Sequence, residues 1–116
     1  MKYKFLLLAG MSFSASALEV SDLDIKVYGH DVIQVFLDIN DSRYDIMERV
    51  RVHCSGNINY TDSRFEDGSY SGYNNSWVTE FRNLPNNWSR VYCKAEVIDK
   101  YGNKAPVWTR SAPIAQ

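Results

Sequence analysis

The chain is poor in the residues that build special sites. Its 116 residues include only two cysteines, two histidines, three prolines and six glycines. Two cysteines are too few for a disulfide-dense mini-scaffold or for a zinc site made of C-x-x-C pairs. There is no H-E-x-x-H zinc pair, no Gly-rich phosphate loop and no G-x-S-x-G nucleophile turn. His30 and His53 lie far apart and read as exposed polar residues. Scattered glycine and proline exclude a collagen-like repeat or a low-complexity tail. The chain also lacks an excess of positive charge. Lys and Arg number 13 against 14 Asp and Glu, for a net charge of −1. Phosphate recognition needs a basic face, so nucleic acid is not an expected partner. No catalytic set, metal or cofactor is expected. The spacing Asp38-x-Asn40-x-Ser42 resembles the opening of a calcium loop, but the sharp-turn glycine is missing and Arg49 stands where the twelfth-position glutamate belongs.

The N-terminus has the three-part layout of a secretory signal peptide. Lys2 and Lys4 make a short positive start, residues 5–13 are mostly apolar, and Ala15-Ser16-Ala17 supplies small residues for cleavage. The apolar run is shorter than the roughly 20 residues that span a bilayer, and no later segment reaches that length. The expectation is a cleaved leader over 1–17 and one domain over 18–116, exported to the periplasm or beyond. Removing Lys2 and Lys4 takes the net charge from −1 to −3. Acids crowd into residues 18–48 and bases into 49–116, which reads as a solvated polarity of the surface. Cys54 and Cys93 are 39 residues apart. An even pair in an oxidising compartment is expected to form a disulfide.

Strands, not helices, are written in the pattern. Leu23, Ile25 and Val27 alternate with polar residues, and Ile33, Val35, Leu37 and Ile39 alternate next, with Val32 and Phe36 on the opposite face. Val50, Val52 and Cys54 alternate with Arg49, Arg51 and His53. Val91, Cys93, Ala95 and Val97 alternate with Tyr92, Lys94, Glu96 and Ile98. Period-two alternation marks strands with one buried face. Residues 77–81 and 107–110 read as two further strands, and 41–50 as a loop entering a strand. Gly, Asn, Asp and Pro at 29–31, 40–42, 83–87 and 100–103 supply turns. Six or seven strands in about a hundred residues predict an all-β antiparallel sandwich. Both cysteines fall on the apolar side of their strands. Their bond lies within a sheet if those strands are neighbours and between sheets if they are not. Trp88 is expected to pack across the sandwich end and Trp108 to cover the core's open end.

A resemblance lies in the last third. Leu84-Pro85, then Val91-Tyr-Cys-Lys-Ala-Glu-Val-Ile-Asp99, then Gly102-Asn103, resembles the end of a fibronectin type III domain. In that family a leucine turn leads into an alternating penultimate strand that ends in a similar Asp…Gly-Asn turn. The chain departs from the family at Val91, where an aromatic is usual, and in Val32 to Ile39, which has no core tryptophan. The resemblance implies an immunoglobulin-like sandwich whose role is to bind, space or scaffold.

Residues 57–77 stand apart. Alternation is lost, and Tyr60, Phe65, Tyr70, Tyr73 and Trp77 are spread among Ser, Gly, Asn and Asp. Binding loops have this composition, because rigid aromatic rings give contact area at small entropic cost. A twisted edge hairpin with its tyrosines packed on the sandwich flank would have it too. The functional expectation is a small, exported, non-catalytic protein that engages a protein partner through these five aromatics, in one version as inhibitor or immunity protein of an exported hydrolase or toxin. A carbohydrate or cell-wall binding module, stacking sugars on Tyr70, Tyr73 and Trp77, is the alternative.

Overall fold

The computed structural model describes residues 18–40 and 44–114. The leader expected over 1–17 lies outside them. Eight strands follow in order: β1 (Val20–Tyr28), β2 (Val32–Ile39), β3 (Met47–Ser55), β4 (Arg64–Asp67), β5 (Ser69–Ser71), β6 (Ser76–Phe81), β7 (Arg90–Asp99) and β8 (Trp108–Pro113). They form two antiparallel sheets, β1-β2-β6-β5 and β4-β3-β7-β8. The first and last strands approach each other along one edge of the sandwich without pairing.

Alternation decides which residues meet between the sheets. Leu23, Ile33, Val35, Leu37 and Phe81 line the first inner face. Val50, Val52, Val91, Ala95 and Val97 line the second. Both cysteines are fully buried among them. Leu18, Leu84, Trp88 and Ile114 join the same core. Cys54 and Cys93 are directly paired residues of β3 and β7, bonded with Cα atoms 4.1 Å apart. The disulfide is therefore an intra-sheet staple.

The turns follow the punctuation. Gly29 takes φ +74° between β1 and β2, a left-handed value that glycine adopts without steric cost. Asp99 organises the turn after β7. Its Oδ1 accepts the N–H groups of Tyr101 and Asn103, its Oδ2 accepts the Asn103 side-chain amide, and Gly102 sits at φ +87°. The Asp…Gly-Asn motif is thus a lock on the β7–β8 turn.

Three segments differ from the sequence reading. The loop expected over 41–50 contains a 3₁₀ turn at Tyr44–Ile46, and β3 begins directly after it at Met47. Residues 57–77 hold β4, β5 and the start of β6, so the segment is not one irregular excursion. The chain passes from one sheet to the other at Gly68, whose N–H donates to the Val50 carbonyl at 2.7 Å. A side chain there would press on Val50 and Thr79. Trp108 does not close the core. It is 37% exposed at the edge, while Trp88 is 3% exposed and fills the sandwich end.

Candidate functional site

The outer face of the β4-β3-β7-β8 sheet is built from the polar side of the alternation. Register places Phe65 beside His53, Asp67 beside Arg51, Lys94 beside His53 and Glu96 beside Arg51. Directly paired antiparallel residues share a face, so these side chains form one surface. Arg51 Nε donates to Asp67 Oδ1 at 2.7 Å. This bond holds the Asp67 carboxyl below its ordinary range and raises the guanidinium of Arg51. The Arg51 guanidinium also lies 4.3 Å from the Phe65 ring centre, and the His53 ring centre is 5.9 Å from it. Glu96 meets Arg49 at 3.5 Å and His53 Nε2 at 3.4 Å. Phe65 is left 54% exposed in this charged frame.

Tyr60 stands beside that row, on the loop between β3 and β4. Its backbone is left-handed, φ +56°, a conformation that non-glycine residues seldom adopt. The loop is held by its own side chains. Asn57 Oδ1 accepts the N–H groups of Asn59 and Thr61, and the Asn57 amide donates to Thr61 Oγ1 at 2.8 Å. Asp62 ties the loop to the domain. Its Oδ1 accepts from the buried Ser55 hydroxyl, from the Gly56 N–H and from the Asn57 amide, and its Oδ2 accepts the Trp88 indole N–H at 2.8 Å. Lys94 Nζ sits 4.5 Å from the Tyr60 ring centre. Burial pushes the Tyr60 hydroxyl up from its ordinary value. Two hollows, of about 420 and 580 Å³, flank the ring. Ile58 and Tyr92 border the first, and His53 and Val107 the second.

The hub has a pH signature. The Ser55 hydroxyl is the main cause that holds the Asp62 carboxyl below its ordinary 3.8, aided by the Gly56 N–H and the Trp88 indole. A depressed carboxylate contributes stability that is present above its unfolded value and is lost as pH falls through the folded one. Asp62→Asn is therefore expected to melt below the parent near neutral pH and to converge on it in strong acid. Parallel melts across that range check this; a constant gap would mean that the carboxylate charge is irrelevant.

The five sequence-selected aromatics divide into separate groups. Tyr60 and Phe65 lie at the outer face just described. Trp77 pairs with Leu37 and Tyr70 with Trp77, which turns both toward the inner face of the other sheet. Their rings meet edge to face at 5.7 Å, and the Tyr70 hydroxyl donates to Asn75 Oδ1. Trp77 lines a groove of about 320 Å³ with Met47, Val50 and Gly68. Tyr73 is 98% exposed in the β5–β6 turn. Arg51, His53, Tyr92 and Lys94 complete the Tyr60 surface and were not singled out as site residues. Their signal was present as the polar half of each alternating strand. Among the described residues no three His, Cys, Asp or Glu side chains gather to hold a metal, and no helix is long and apolar enough to cross a membrane.

No protein-family model matches this sequence, and no curated protein does. Solved structures are similar in shape. The crystal structure of the FN1–FN3 domains of chicken CNTN1 matches with a TM-score of 0.61 at 16% identity, over 84% of this chain and 32% of that one. The present chain thus spans about a third of that three-domain structure. A solved myokine structure matches with a TM-score of 0.64 at 9% identity, over 87% of this chain and 100% of that one. At such identities the likeness is one of fold. The chain has a fibronectin type III-like β-sandwich, stapled within one sheet by the Cys54–Cys93 disulfide.

Proposed function

We propose that this chain is an exported, non-catalytic binding domain that engages a protein partner through the outer face of the β4-β3-β7-β8 sheet. The observation that carries the reading is Tyr60, held left-handed by a hydrogen-bonded loop between two hollows, with Phe65 exposed nearby. A ring that is already fixed loses little freedom on binding, so its contact area converts efficiently into affinity. Ion-paired arginine and glutamate around the rings suit a polar rim. Export is supported by the leader-like residues 1–17 and by a disulfide, which persists in oxidising compartments. A small stapled domain with a rigid binding face suits an inhibitor or immunity protein of an exported hydrolase or toxin. The sugar-binding alternative draws less support. Tyr70 and Trp77 pack on each other and Tyr73 stands apart in a turn, so the three offer no common platform.

The test is affinity capture from periplasmic extract with the parent and with Tyr60→Ala/Phe65→Ala. One protein is expected to be recovered stoichiometrically by the parent. Buried aromatic anchors contribute about 2 kcal/mol or more when truncated, so the variant should bind roughly 30-fold more weakly or worse. Its melting curve should still show a cooperative fold. Undiminished capture by the variant would move the binding surface elsewhere. N-terminal sequencing of the exported protein is expected to begin at Leu18.

A further inference from the structure

We infer that the open edge of β8 receives an extended acidic segment of the partner, which adds to the β4-β3-β7-β8 sheet as a fifth strand. This rests on the protein-binding reading above and names how the partner is held. The phase of the hydrogen-bond ladder points to that edge. A Cα separation of 4.1 Å at Cys54–Cys93 is that of the narrow, non-hydrogen-bonded antiparallel pair. Val91, Cys93 and Ala95 therefore turn their N–H and C=O groups toward β8. Two bonds farther along β7 agree: the Val97 carbonyl accepts the Ala105 N–H, and the Asp99 N–H donates to the Asn103 carbonyl, both at 3.0 Å. The opposing residues on β8 are Ala112, Arg110 and Trp108. The residues between them, Thr109 and Ser111, direct their backbone groups away from the sheet. No described strand pairs there.

The other edges are guarded. β1 has a register shift between Val20 and Asp22 and carries the charges of Asp22, Asp24 and Lys26, and β4 and β5 are four and three residues long. Bulges, charged side chains and shortness are the devices that keep sheet edges from pairing. β8 has six residues and a regular register with β7, and it ends at Pro113. A proline there limits the open stretch without removing the Thr109 and Ser111 donors.

Charge selects the occupant. β8 contains Arg110 and no acid. Arg90 reaches the same edge, with its Nε donating to Ser111 Oγ at 3.2 Å. Lys94 lies one strand inward, paired with Thr109. Along β8 and the stretch 90–94 of β7 beside it every charged residue is a cation, Arg90, Lys94 and Arg110, which favours an acidic segment. The hollow bordered by Ile58, Tyr60 and Tyr92 runs onto Thr109 and Ser111. It would take apolar side chains from alternate positions of the added strand, while main-chain bonds supply the pairing.

The experiment uses two synthetic peptides, one alternating glutamate with valine and one alternating lysine with valine, and reads amide hydrogen exchange residue by residue. The glutamate peptide is expected to slow exchange at Thr109 and Ser111 by about tenfold or more, and the lysine peptide to leave both unchanged. Thr109→Pro removes one outward N–H and no bond to β7. It should keep the fold and weaken binding about tenfold. Should that variant not fold, Arg110→Glu supplies the second arm, because it should reverse the preference between the peptides. The inference is overturned by undiminished binding to Thr109→Pro, by protection confined to Tyr60 and Phe65, or by no protection at millimolar peptide. Protection of the two amides in concentrated protein alone would assign the edge to a second copy and overturn it as well. A captured partner that ignores Thr109→Pro but is lost with Tyr60→Ala/Phe65→Ala would remove the strand addition and leave the binding domain standing.

Discussion

Replacing Cys54 and Cys93 together by alanine is expected to lower the melting temperature by roughly 15–30 °C, from about 4 kcal/mol of lost chain restriction at 4–8 °C per kcal/mol. The bond closes a 39-residue separation between two strands. That span contains β4, β5 and β6, so the staple restrains the crossing from one sheet to the other and back. Its effect falls mainly on the unfolded chain. In the folded state β3 and β7 are already paired from Met47↔Asp99 to Ser55↔Tyr92. The alanines remove two small sulfurs from a buried site, and the ladder on either side stays intact. The variant should therefore still fold, at lower stability, with its outer face in place. Scanning calorimetry of parent, reduced parent and double variant checks this. A shift of only a few degrees would mean that the unfolded chain already keeps these strands close.

Trp88→Ala is expected to cost about 3–5 kcal/mol, the range for deleting a large buried aromatic. Folded domains of this kind hold only about 5–15 kcal/mol in total, so the variant should sit near the edge of unfolding. Two effects combine. The indole fills the sandwich end against Gly56, where an added Cβ would lie 2.4 Å from the ring. Its N–H also satisfies Asp62, the residue that ties down the Tyr60 loop. Trp88→Phe keeps most of the ring and loses the donor, so it should fall between parent and alanine variant. Gly56→Ala should destabilise the parent by about 1–3 kcal/mol through overpacking. In the Trp88→Ala background the same methyl enters vacated space and should be nearly neutral. Urea titration of the four proteins gives the coupling directly. Additive losses would show that Gly56 and Trp88 do not share the space the structure gives them.

The two changes also separate stability from the binding surface. The cysteine pair lies on the inner face beneath His53 and Lys94, which point outward from the same strands. Trp88 acts on Tyr60 through Asp62. Partner binding should survive the first change at temperatures where the domain is folded, and weaken with the second.

Much of this architecture was legible in the residues. β1, β2, β3 and β7 each have a buried and a wet face, so period-two alternation marks both the strand and its inward side. That pattern also put both cysteines on inner faces, and the Asp…Gly-Asn turn after β7 was visible in its residue types. β4 and β5 were not legible. They are short edge strands held by backbone bonds to β3 and β6, and such bonds leave no mark on side-chain pattern. The aromatic segment read as one surface because its residues are close in sequence. Crossing between sheets at Gly68 leaves Tyr60 and Phe65 at the outer face of one sheet and turns Tyr70 and Trp77 to the inner face of the other. Trp88 and Trp108 were indistinguishable as tryptophans near turns, and only the closing of the sandwich end buried the first and left the second at an edge. Composition and alternation thus determined the fold class, the inner faces and the leader-like start. Tertiary structure alone decided the intra-sheet position of the disulfide, the company Tyr60 keeps and the open edge of β8. Local pattern records how each residue meets water or core, whereas cross-strand register depends on which distant segments lie side by side.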